Sequence, residues 1–109
     1  MTPKDLLAGL PAAELVRQGL ADVAAGRGTV PACLVAIGLR RMRRAGLVRQ
    51  DWSPPSEDAE LALYRLLRKA GGDAYSRYNA LLRELVSFEQ ALDRRVRAAA
   101  GKAGWVSER

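Results

Sequence analysis

Apolar residues recur along the chain at intervals of three and four, the spacing that gathers side chains on one face of an α-helix. No run alternates as a half-buried strand requires. Caps and breakers divide the pattern into five segments. Thr2, Pro3 and Asp5 supply a capping hydroxyl, a proline for the first helical position and an acid three residues after the cap, so a short helix is expected to end at Ala8, before Gly9. Pro11 opens a second, closed by Gly26-Arg27-Gly28. Thr29 caps a third, with Pro31 in its first turn and Gly46 as a left-handed stop. Val48 to Pro55, holding Trp52 and a Pro54-Pro55 pair, is an ordered loop pinned by one aromatic. Ser56-Glu57-Asp58 starts a fourth helix with acids at the positive end of its dipole, and Gly71-Gly72 ends it. Asp73 caps the last, which meets no breaker until Gly101 and so spans about 27 residues and roughly 40 Å.

The predicted fold is all-α, a compact helical bundle of about five helices with a long C-terminal helix. Residues 1–101 form one domain, and 102–109 form a frayed tail with Trp105 as its one anchor. Helical projection places Val16, Gly19, Leu20 and Val23 inward on the second helix and Gln18 and Asp22 outward. On the third, Leu34, Val35, Gly38, Leu39, Met42 and Ala45 make the core stripe. The far side carries Cys33, Ala36 and Ile37 and then arginines, so this helix is expected to be buried on most sides at its start. Ala59, Ala62, Leu63, Leu66, Leu67 and Ala70 are the buried set of the fourth. The last presents Tyr75, Tyr78, Leu81, Leu82, Leu85, Val86, Phe88, Leu92, Val96 and Ala99 on one broad face.

Composition narrows the chemistry. With 49 % hydrophobic and 28 % charged residues, the 109-residue chain is ordinary globular material. Its one cysteine, Cys33, leaves no internal disulfide, and with no histidine the usual zinc ligand sets and general base are missing. No cofactor and no metal are expected. Asp5, Glu14 and two prolines interrupt what would be a signal peptide, and no apolar run approaches the ~18 residues of a membrane span, so the expected setting is cytoplasmic.

The net charge of +6 comes from 15 arginines and 3 lysines against 12 acids, a balance that favours polyanions without naming one. GLRRMRRAGLVRQDW, residues 38 to 52, concentrates it: Arg40, Arg41, Arg43 and Arg44 could meet phosphates. A base-reading helix presents polar groups from its N-terminal half, whereas here that half is apolar, so specific readout is not expected. Leu61 and Tyr64, set between Arg65 and Arg68, form an apolar and aromatic pair suited to a protein partner.

Glu89 and Asp93 lie four apart inside the apolar face of the last helix. No nucleophile or histidine accompanies them, so arginine partners from the third helix or a second subunit are expected instead of acid–base work. With Leu92 and Val96 they would serve self-association, since a ~40 Å helix outreaches a globule of this size, unless the first helix folds back over Leu92 and Val96 within one chain.

The segment YRLLRKAGGDAYSRYNALLRELVSFEQAL, residues 64 to 92, resembles small bacterial helical proteins of no assigned function. The resemblance implies a bacterial setting and brings no site residues. The expected function is a non-enzymatic interaction or adaptor protein, bound to a protein partner or to itself as a homodimer. The alternative is weak, nonspecific nucleic-acid binding through the Arg40 to Arg44 cluster.

Overall fold

A computed structural model describes residues 6–55 and 57–107. Among these the architecture is all-helical, without strands: α1 (Ala13–Ala24), α2 (Val30–Ile37), α3 (Leu39–Arg44), α4 (Ala59–Ala70) and α5 (Ala74–Ser107). Helical turn residues 6 and 7 precede α1, and the capping residues Thr2, Pro3 and Asp5 lie outside the described residues, as does Ser56. The molecule measures 56 × 27 × 20 Å, drawn out along α5.

Local chemistry sets most of the ends. The Thr29 hydroxyl accepts from the Ala32 amide at 3.2 Å, with Pro31 in the first turn of α2. Asp58 caps α4 by accepting from the Leu61 amide at 3.0 Å, and Asp73 caps α5 by accepting from the Ser76 amide at 3.1 Å. Gly46, Gly71 and Gly72 take positive φ at the stops.

Three boundaries differ from expectation, the first being the start of α1 at Ala13, after Ala12 in the left-handed region, and not at Pro11. The helix predicted between Thr29 and Gly46 is two, joined at Gly38. There the chain presses on α5: a methyl group at Gly38 would lie 3.0 Å from Glu89 Oε2 and 3.4 Å from Leu85. The last helix passes through Gly101 to Ser107, since one interior glycine costs only about 1 kcal/mol against alanine and does not end a long helix.

The core joins Val16 of α1, Leu34 and Val35 of α2, Met42 of α3, Leu63 and Leu67 of α4, and Leu85, Phe88 and Leu92 of α5. The tightest crossing is α1 on α2. A side chain at Gly19 would run into the Pro31 carbonyl and Val35, so the glycine is what lets these backbones approach. On α5 the core stripe is narrower than predicted: Tyr75 is 65 % exposed, and Val86 and Ala99 also face solvent.

The N-terminal turn covers the part of α5 that was expected to overhang. Leu6, Leu7 and Leu10 enter the same core as Leu92, and Arg95 Nη1 donates to the carbonyls of Leu6 and Ala8. Leu92 is 0 % exposed and Val96 packs against the cluster. The apolar residues assigned to self-association are therefore used within one chain.

Candidate binding groove

Three helices and a loop leave a half-open cavity of about 580 Å³, within the size range of ligand sites. Its lining comes from residues with small side chains spaced one helical turn apart. Ala32, Cys33 and Ala36 present the back of α2, and Ala59, Ala62 and Leu66 present a face of α4. Val23 and Gly26 close it at the end of α1, and Trp52 to Pro55 form the remaining wall. Ala59, Ala62 and Leu66 were expected in the core of the fourth helix, and Cys33 and Ala36 on the side of the third opposite its core stripe. Ala32 is buried and the other five are half-buried, since among the described residues no element lies over this face of α2 and α4. Ala70, also expected inside, is exposed.

Each wall is held in place. Asp22, expected on the solvent side, is 3 % exposed and ties the end of α1 to the start of α2. It accepts from the Thr29 hydroxyl at 2.6 Å, from Gln18 Nε2 at 2.9 Å and from Arg27 Nε at 3.0 Å. The Thr29 hydrogen bond, with those from Arg27 and Gln18, holds its carboxyl below the usual range. The opposite wall hangs on Arg43, whose guanidinium donates to the Trp52 carbonyl, while the Gln50 amide returns a bond to the Arg43 carbonyl at 3.2 Å. Pro54 and Pro55 fix two backbone angles beside the indole.

Charge sits at the margin. Arg27, Arg65 and Lys69 line the groove, and among the described residues no acid does. Arg27 is paired with Asp22 at 2.9 Å through Nη2. Arg65 and Lys69, four apart on α4, make no ion pair or hydrogen bond among the described residues. Burial pushes the Cys33 thiol up, so the lone cysteine stays protonated at neutral pH.

The arginine cluster divides. Arg41 pairs with Asp93 at 3.0 Å, and Arg43 serves the Trp52 wall. Arg40 and Arg44 are exposed, without a partner among the described residues. Glu89 is half-buried beside Gly38. Burial raises its pKa, Arg41 opposes that shift, and Asp93 adds to it. Asp93 thus meets an arginine of the third predicted helix within one chain, and Glu89 lies in the field of the same arginine.

Leu61 and Tyr64 also have different neighbours from those expected. Tyr64 meets Tyr78 edge-on, with centroids 5.7 Å apart, and the Tyr78 hydroxyl donates to Glu60 at 3.3 Å. Leu61 is exposed beside them, in a shallow depression shared with Asp58 and Glu60, while Arg65 turns to the groove. The groove itself escaped the sequence. The one available signal was an excess of small apolar residues on α2 and α4, more than a core on one side of each helix needs.

Among the described residues no group of side chains is placed to hold a metal ion, and no helix is long and apolar enough to cross a membrane. No family model, curated protein or solved structure matches the chain.

Proposed function

We propose that this is a small non-enzymatic interaction or adaptor protein, and that it seats a segment of a protein partner in the groove between α1, α2, α4 and the Trp52 loop. The observation that carries the proposal is the cavity of about 580 Å³ lined by small apolar side chains and one indole. Apolar concavities with an aromatic wall are where partner side chains gain most on binding. The Asp22 network and the Arg43 contact fix both walls in the free protein, so little ordering remains to oppose binding.

The test is affinity capture from the source cell with the wild type, with Ala62→Trp, which fills the groove, and with Arg40→Glu/Arg44→Glu. Proteins retained by the wild type and by the glutamate variant, but lost with Ala62→Trp, support the proposal. The reverse pattern contradicts it.

A second reading, nonspecific contact with phosphates, rests on Arg40 and Arg44, which are exposed beside a depression lined also by Ile37 and Gln50. Two such contacts on duplex DNA would give a salt slope of about −1.8 in log affinity against log salt. Duplex binding that does not respond to salt, or that survives Arg40→Glu/Arg44→Glu, removes this reading.

A further inference from the structure

Resting on the proposal that the groove is the working surface, we infer that its occupant is an acidic, amphipathic segment of the partner protein. Apolar side chains of that segment lie on Ala32, Ala36, Ala59 and Ala62, and its carboxylates meet Arg65 and Lys69. Charge complementarity selects this chemistry. All the charged side chains lining the groove are cations, and two of the three have no intramolecular partner among the described residues.

The cations that work inward are each answered by an acid or a carbonyl: Arg27, at the groove itself, by Asp22, and away from it Arg41 by Asp93, Arg43 by Trp52 and Arg95 by Leu6. Arg65 and Lys69 stand one helical turn apart, about 6 Å along α4, a spacing that two carboxylates on one face of a short peptide can match. Both line the groove and are exposed, so an incoming carboxylate can be met before the apolar surfaces close. A basic or neutral segment would bury the same apolar area against two like or unanswered charges. The cation pair therefore discriminates among partners that the apolar surface alone would not separate.

Cys33 gives a direct readout, because it lines the groove and is the chain's one cysteine. The experiment follows the alkylation rate of Cys33 by iodoacetamide in the full-length protein with three probes. These are a synthetic peptide with leucines three and four apart and glutamates four apart, the same peptide with lysine for glutamate, and laurate. The acidic peptide is expected to slow alkylation while the basic one does not. Arg65→Glu/Lys69→Glu, checked for an unchanged melt, is expected to weaken protection about tenfold, since both attractions become repulsions.

Equal protection by both peptides overturns the charge selection and leaves the groove as the binding surface. Protection by laurate alone replaces the partner segment by a small amphiphile and overturns the inference. If no probe protects but Ala62→Trp still abolishes capture, the occupant's chemistry is wrong and the groove stands. If no probe protects and Ala62→Trp changes nothing, both proposals fall.

Discussion

Four arginines crowd residues 40 to 44, whereas Arg27, Arg65 and Lys69 are scattered over 43 positions of sequence, yet the scattered three share a cavity and the crowded four do not share a task. Arg41 and Arg43 work inward, on Asp93 and on the Trp52 carbonyl. Arg65 and Lys69 have no partner among the described residues. A run of like charges along one short helix necessarily points several ways, because successive residues turn by about 100°. Nearness in sequence is thus a poor guide to a shared surface on a helix, and the folded position of each charge decides what it can bind.

Substitutions can break that contrast at several strengths. The largest effect belongs to Leu92→Glu, which tests whether the apolar half of α5 is core or contact surface. With Leu92 fully buried, the account expects unfolding, a loss of about 4 kcal/mol, because a charge is placed where none can be paired. A folded variant whose light scattering alone changes would make Leu92 an interface residue.

Next comes Arg43→Ala, which removes a charged donor from the Trp52 carbonyl and should cost about 2 kcal/mol in denaturant melts while speeding Cys33 alkylation. Arg41→Ala breaks a half-exposed pair with Asp93 and should cost less than about 1 kcal/mol. Smallest of all, Arg65→Ala and Lys69→Ala should leave stability within about 0.5 kcal/mol of the wild type while weakening capture of the partner. If the last two destabilise as much as Arg43→Ala, the division into inward and outward cations fails.

Acid titration sharpens the same contrast between satisfied and strained charges. The folded-state pKa of Asp22 is depressed, so its contribution is present above the ordinary carboxylate pKa and is lost as pH falls toward the depressed one. Glu89 is raised, so its contribution is full at low pH and declines as pH rises through its folded value. Thermal melts should therefore show Asp22→Asn below the wild type at pH 6, with the gap closing toward pH 3. Glu89→Gln should melt at or above the wild type at pH 7. Opposite trends would mean that the carboxylate of Asp22 is not the group that ties α1 to α2.

Much of the fold was legible because it is written locally. Thr29, Asp73, Gly46 and the Gly71-Gly72 pair act through their own backbone geometry, and each sits at the predicted boundary. What depends on neighbours in space was not. Gly38 looked like one more core position, and the close approach of Glu89 and Leu85 that favours a glycine there is visible only in the fold. Asp22 projects to the polar side of α1, and its burial needs Thr29 to come alongside. Ala32, Ala36, Ala59 and Ala62 have the polarity of core residues, and periodicity cannot distinguish an apolar face that meets another helix from one that meets nothing. That ambiguity concealed the groove.

The central claim is that the working surface is this groove and not the arginine cluster. The most direct measurement is a backbone amide spectrum of the nitrogen-15-labelled protein titrated with the acidic leucine-containing peptide. The account predicts shifts confined to residues 23–36, 52–55 and 59–69, the segments that line the cavity. Shifts centred on residues 37–50, with the groove unmoved, would contradict it.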